Sequence, residues 1–253
     1  MTAATEYIAR RDPALKVTFT IIMAVAIAAI GYVMMTVTSS PTVKGASFLW
    51  LPAALQLVAG VWLGPWYGFL AAGLGAYAAG IFAYGGWGIV DIIMNPIAGG
   101  FANAMLPALL FRAFQLDPTL GAKRPGAVLS GAIRMAILTV LVLAAGMLNR
   151  TFNLGTFGFV FPLLALLVGA AVLLHGLELN LTTFVTAVAI AVFSCAVSAL
   201  IGAIGATVGG KPFAASLIDP GIGWFAGDTV SAILGLYLLP LFTGRLRAAG
   251  IAD

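Results

Sequence analysis

Long apolar runs recur along the whole chain, and they constrain its fold more than any other feature. A helix needs about 20 mostly apolar residues to cross the hydrocarbon core of a bilayer. Only 8% of the 253 residues are charged, which is too few to cover a soluble surface. The sequence therefore predicts an all-helical, polytopic integral membrane protein, a bundle of about eight transmembrane helices and of six at the least. The predicted spans are 17–38, 46–63, 65–85, 88–113, 126–148, 157–175, 181–208 and 222–243.

The short segments between these runs predict one transmembrane domain over residues 1–253, with short cytoplasmic tails at 1–16 and 244–253. Lysine and arginine flank membrane helices on the cytoplasmic side. Most of the basic residues fall on one side of an eight-helix arrangement, so we expect both termini in the cytoplasm and a multi-pass protein of the cell inner (plasma) membrane. The net charge of +4 follows from this topology and implies no nucleic acid partner.

The second and third predicted helices form a tight hairpin at Leu63-Gly64-Pro65. Glycine accepts unusual backbone angles, and proline is tolerated at the first position of a helix, so one helix ends here and the next begins. The two helices must then be antiparallel neighbours. Small residues recur every four positions along them, a spacing that lets helix backbones approach closely in a membrane: Gly60, Gly64, Gly68, Ala72, Ala76 and Gly80.

Two predicted helices are interrupted by proline and glycine and also carry acidic residues. The fourth contains Asp91 and Asn103 together with Pro96, and the last contains Asp228 shortly after Asp219-Pro220. Interrupted helices at matching positions in two halves of a membrane protein indicate a binding site. The similarity between the two helices predicts a parallel repeat of four plus four helices.

The polar residues of these helices fall in the outer half of the bundle, near several aromatic residues. An aspartate inside a spanning helix is costly unless it is paired or functional, and an aromatic ring can stack on a ligand or cover a cation. Alternatively, Asp91 and Asp228 cap their helices, and Tyr84 and Trp87 belong to an interfacial aromatic belt. The predicted ligand-binding residues are Asp91, Asn95, Asp228, Trp224, Trp87 and Tyr84.

No catalytic motif is visible in the sequence. It has no phosphate-binding glycine loop with lysine, no Gly-x-Ser-x-Gly, no paired histidines and no Cys-x-x-Cys. We therefore expect no enzyme, no cofactor and no bound metal. The single His175 is expected to be a surface imidazole, and Cys195 a small buried hydrophobic residue.

The hairpin PAALQLVAGVWLGPWYGFLAAGLGAYAAG and the following NPIAGGFANAMLPALLF come after a first helix with Ala24 and Ala28 four residues apart. Together they resemble the substrate-binding S-component of energy-coupling factor (ECF) vitamin transporters, over residues 17–115. The resemblance implies capture of a small vitamin-like molecule from the outer side. It also implies docking through Ala24 and Ala28 to a membrane coupling subunit, which works with two ATPases. That family typically has six helices, whereas eight spans are predicted here.

A second resemblance implies a different function. Trp50-Leu51-Pro52 at a helix start, and the run from Trp224 through Asp228 to Leu239-Pro240-Leu241, are similar to the eight-helix membrane sensor domains of bacterial signalling proteins. This implies a stand-alone sensory or scaffolding domain that partners other membrane proteins. An ion-coupled carrier is a third interpretation, because no nucleotide-binding motif would supply energy within the chain.

Overall fold

A computed structural model describes residues 13–37, 49–85, 88–123 and 179–252, together with positions 134, 137, 140, 144 and 152. These ranges contain helices and turns and no strand, which confirms the all-helical fold. The predicted spans 126–148 and 157–175 lie outside the described residues except for those single positions, as do Trp87 and His175. The eight-helix count and the repeat therefore stay predictions.

Six helical segments follow one another in the described ranges. They are α1 (Pro13–Val37), α2 (Pro52–Leu63), α3 (Pro65–Tyr84), α4 (Ile89–Ile92 continued by Ile93–Met105 and Leu106–Ala113), α5 (Leu181–Val208) and α6 (Phe213–Ser216 continued by Leu217–Ile222 and Gly223–Ala248). Four stretches within them are long and apolar enough to cross a membrane: Pro13–Thr36, Pro65–Ala83, Leu181–Val208 and Gly223–Ala248. The chain is thus a helical membrane protein.

The short helix α2 lies at the centre of the bundle and packs against α1, α3, α4 and α6. Its 12 residues extend only about 18 Å, less than the roughly 30 Å of a hydrocarbon core. It begins at Pro52, later than the predicted span 46–63, because proline occupies the first helical position and the preceding Leu49 and Trp50 are not helical. Nearly all of its side chains are buried, so α2 is a core element.

The predicted hairpin between α2 and α3 is confirmed. Gly64 has φ of 82°, a conformation that favours glycine, and Pro65 opens α3. A methyl group at Gly68 would meet the backbone of Gly60, and one at Gly60 would meet the backbone of Ala104 in α4. We call this backbone contact of Gly60, Gly68 and Ala104 the glycine interface.

Two segments of the bundle are wound as π-helix, with a wider turn than the α-helix. They are Ile93–Met105 in α4, which contains Pro96, and Leu217–Ile222 in α6, which contains Pro220. Proline lacks the N–H that an α-helical turn uses, and π-turns are often found at functional sites. The interruptions predicted from proline and glycine therefore take the form of π-winding within continuous helices.

The two ends of the bundle differ in how they are closed. At one end of the bundle, α1, α3 and α5 finish and α2, α4 and α6 start. We call this end the cavity end. At the closed end, the indole Nε1 of Trp62 donates to Thr243 Oγ1 at 2.9 Å, and Arg247 pairs with Asp117 at 3.3 Å. Side chains from distant parts of the chain thus join the helices at the closed end.

Candidate functional site

A cavity of about 30 Å³ lies between α2, α4, α5 and α6 near the cavity end. A buried space of this size holds about one or two water molecules. Apolar side chains form one part of its wall, and polar side chains form the other. The apolar part includes Met35, Trp50, Met94 and Trp224, and the polar part consists of Gln56, Asn95, Asn103, Ser198 and Asp228.

Four of these polar residues form a hydrogen-bonded group, the polar cluster (Gln56, Asn103, Ser198 and Asp228). Asn103 Nδ2 donates to Gln56 Oε1 at 3.1 Å and to Asp228 Oδ2 at 2.9 Å. Ser198 Oγ donates to the same Asp228 oxygen at 3.0 Å. Each member comes from a different helix, so the cluster exists only when α2, α4, α5 and α6 are assembled.

The polar cluster is deeply buried, and its hydrogen bonds are incomplete. Gln56, Asn103 and Asp228 are 0%, 4% and 3% exposed. Within the described part of the chain, Asn103 Oδ1, Gln56 Nε2 and the hydroxyl of the neighbouring Ser194 have no hydrogen-bond partner. A buried polar atom without a partner costs about 1–3 kcal/mol, and such atoms in a native protein commonly mark a bound water, ion or ligand.

Glycines make room for the large side chains of the cavity. A methyl group at Gly202 would lie 2.6 Å from the ring of Trp224, and one at Gly31 would lie 3.0 Å from the ring of Trp50. At Gly80 it would lie 2.9 Å from Asn95 Nδ2. The distance at Gly202 is shorter than real carbon contacts and the other two are tight, so a larger residue at these glycines would shift the side chains of the cavity wall.

Three of the six predicted ligand-binding residues line this cavity: Asn95, Trp224 and Asp228. The burial of Asp228 favours the interpretation of a buried polar role over that of a helix cap. Asp91 and Tyr84 lie in described helices, but their side chains, like the whole of Trp87, fall outside the described part. Their assignment to the site stays a prediction.

The sequence prediction did not include Gln56, Asn103 and Ser198 in the site. Gln56 is the one amide in the glycine hairpin, and Asn103 follows a Phe-Ala pair in α4 as Asp228, one residue later, does in α6. Both were therefore visible as polar residues in apolar helices, which is a signal of function. Ser198 carries little signal, because a single serine is easily accommodated in a membrane helix.

The two alanines predicted to dock a partner lie on the outside of the bundle. Ala24 and Ala28 line an apolar groove of about 650 Å³ between α1 and α3, together with Tyr32, Leu74 and Phe82. Tyr32, Leu74 and Phe82 are exposed. The position is compatible with docking, which stays a prediction.

No set of three or more histidine, cysteine, aspartate or glutamate residues is placed to hold a metal ion within the described ranges. Cys195 is buried next to the polar cluster on α5 and is a free thiol. Comparison with protein-family models, curated proteins and solved structures finds no match for this chain.

Proposed function

We propose that the protein is a membrane-embedded solute-binding subunit of an ECF-type importer, which captures a small cationic or aromatic, vitamin-like molecule from the outer side. The observation that carries this proposal is the polar cluster inside an apolar bundle. Polar and ionisable groups within a membrane are expensive, and where they are retained they commonly line a substrate or ion pathway. Two tryptophans beside the cluster supply surfaces on which a ring can stack.

The volume of the cavity limits the size of the group that the described residues can bind. A complete binding site for a drug-sized molecule has a volume of roughly 300–1,000 Å³. The cavity of about 30 Å³ corresponds to one functional group of such a molecule. In this proposal, the polar cluster is the deep end of the site and binds the polar group of the solute.

The distribution of charge supports the proposed orientation. Lys16, Arg112, Lys123, Arg245 and Arg247 lie toward the closed end, and Lys211 follows α5 at the cavity end. Basic residues are more frequent on the cytoplasmic side of a membrane. The closed end then faces the cytoplasm, and the cavity opens toward the outer side, where a solute is captured.

Copurification from native membranes tests the proposal. The expected result is recovery of a membrane coupling subunit and ATPases with the tagged protein, identified by mass spectrometry. The double variant Ala24→Leu, Ala28→Leu fills the groove between α1 and α3 and should abolish the recovery. Ala196→Leu, at an exposed position on α5, is the matched control and should leave recovery unchanged.

Repeated recovery of the folded protein without any coupling subunit or ATPase would refute the ECF-type function. Recovery of signalling or structural membrane proteins in their place would favour a sensory or scaffolding domain. Solute uptake by the reconstituted protein alone, dependent on an ion gradient, would favour a carrier.

A further inference from the structure

The polar cluster has a surplus of hydrogen-bond acceptors around its only charged group. A carboxamide has two hydrogens on nitrogen, and Asn103 uses both of them, one on Gln56 and one on Asp228. Its Oδ1 atom is left as an unpartnered acceptor among the described residues. The hydroxyl hydrogen of Ser198 is also directed at Asp228, so the Ser198 oxygen keeps its accepting capacity.

Asp228 itself retains accepting capacity as well. Both side-chain hydrogen bonds to its carboxylate end on Oδ2. An ionised carboxylate has about four lone-pair sites on two oxygens, so two bonds on one oxygen leave the second oxygen available. Three groups thus offer oxygen acceptors at one place: Asp228, Asn103 and Ser198.

No positive side chain balances this carboxylate within the described residues. The cavity wall contains no lysine, arginine or histidine. A buried carboxylate without a positively charged partner is strongly unfavourable. The amide donor Gln56 Nε2 lies against Gly99, and the amide oxygen of Gln56 binds Asn103 rather than the carboxylate.

From this geometry we infer that the cavity binds a compact monovalent cation at Asp228, with Asn103 Oδ1 and Ser198 Oγ as further oxygen contacts. The cation is an alkali ion or the primary ammonium group of a solute, since both fit a space of about one or two water molecules. A quaternary ammonium group is too large for it. Where the cation is part of a captured solute, this inference rests on the proposed function.

Thermal unfolding of the purified protein tests this inference without any partner subunit. The unfolding midpoint is measured in choline chloride that is replaced stepwise, at constant ionic strength, by sodium, potassium or methylammonium chloride. A ligand that binds only the folded state raises the midpoint in a saturable way. We expect saturable stabilisation by at least one compact cation. An effect of sodium or potassium alone assigns the site to an alkali ion, and an effect of methylammonium alone assigns it to an amine.

Two variants locate the response. Asp228→Asn keeps the shape of the side chain but removes its charge, and we expect it to weaken cation binding by roughly tenfold or more, since contacts to a charged group are stronger than contacts to a neutral one. Ser198→Ala should weaken binding less. Asp117→Asn, which removes a carboxylate at the closed end, should bind the cation like the wild type.

A series of methylated ammonium ions on the wild-type protein covers the case in which Asp228→Asn does not fold. Stabilisation should fall as methyl groups are added, and tetramethylammonium should act like choline. Equal stabilisation by all cations, or an unchanged response in a folded Asp228→Asn protein, would overturn the inference. Because these measurements need no coupling subunit, cation binding and the ECF-type function can fail independently.

Discussion

The two ends of the bundle use buried polar groups in opposite ways. At the closed end, Trp62 and Thr243 satisfy one another, and the glycine interface brings helix backbones into direct contact. At the cavity end, Asn103 and Asp228 are bonded but keep unused acceptors beside a small cavity. Buried polar groups are thus hydrogen-bonded where the helices are held together, and they keep unused acceptors beside the cavity, where the proposed ligand binds.

The glycine interface should give the largest effect on stability. In Gly60→Ala, the added methyl group meets the backbone of Ala104, which cannot move aside as a flexible side chain does. We expect a loss of roughly 3 kcal/mol in the free energy of unfolding, at the upper end of the usual cost of overpacking. Unfolding in detergent measures it.

Gly244→Ala is the matched control for this variant. Nothing lies within 4 Å of a methyl group at Gly244 in α6, so the substitution should stabilise the helix by about 0.5–1 kcal/mol. Equal stability of the two variants would show that the close contact at Gly60 does not hold the closed end together.

Within the cavity end, Asn103→Leu should be the most damaging change. Leucine fills a similar volume but leaves Gln56 Oε1 without its donor and removes one of the two donors to the Asp228 carboxylate. We expect a loss of roughly 2–3 kcal/mol, because a buried acceptor without a partner costs about 1–3 kcal/mol and a charged one costs more. Thermal unfolding with matched detergent measures the difference.

Ser194→Ala, beside the polar cluster on α5, provides the contrast. Its hydroxyl is buried and has no partner among the described residues, so removing it should leave stability unchanged or slightly higher. If Ser194→Ala proves as destabilising as Asn103→Leu, the Ser194 hydroxyl has a hydrogen-bond partner, and the proposed contrast between the two ends of the bundle is wrong.

A smaller loss of stability is expected when the hydrogen bond between Trp62 and Thr243 at the closed end is removed. Trp62→Phe keeps an aromatic ring beside Phe242 but removes the donor to Thr243. We expect a loss of about 1 kcal/mol, the net value of one buried hydrogen bond. A double-mutant cycle with Thr243→Val measures the coupling, and a coupling energy near zero would contradict the role assigned to this pair.

The smallest effect is expected at Asp117. Partial burial raises the pKa of this carboxyl group, but hydrogen bonds from Thr119 and the nearby Arg247 guanidinium outweigh it, so the pKa of Asp117 lies below its ordinary value. A lowered pKa in the folded state stabilises the protein above the ordinary value, and this stability is lost as the pH falls through the lowered one. Asp117 is exposed, so we expect less than about 1 kcal/mol.

Asp117→Asn tests this pH dependence. The variant should lose a small amount of stability at neutral pH and none at a pH below the folded-state pKa of Asp117, where the wild-type carboxyl group is itself protonated. High salt should reduce the difference at neutral pH, since exposed ion pairs are screened. A difference that persists unchanged at acidic pH would assign the effect to packing.

Local features of the sequence predicted where the described helices lie, but not which parts of them are π-helical. The prediction 181–208 agrees with α5, and Gly64-Pro65 places the hairpin correctly, because apolar run length and proline act within a few residues. The predicted start at 46 was wrong for α2, which begins at Pro52. The π-winding around Pro96 was also missed, because proline and glycine predict an interruption of a helix but not the form that it takes.

The candidate site was predicted in part for the same reason. Asp228 and Trp224 stand out in an apolar helix, so composition alone identified them as unusual. Gln56 and Ser198 are ordinary in their own helices and acquire a role only through Asn103 and Asp228. Glycines such as Gly202, which make room for the tryptophans, also show their purpose only in three dimensions.

Apolar composition is sufficient to predict a helical membrane protein, because lipid requires each segment to satisfy its own backbone hydrogen bonds. The hairpin is also predicted locally, because Gly64 and Pro65 set the backbone angles of the turn. Which polar residues meet could not be predicted in this way. The bond from Asn103 to Asp228 joins positions 125 residues apart. Such a contact depends on how each helix is rotated in the bundle, and that rotation is set by packing against neighbouring helices.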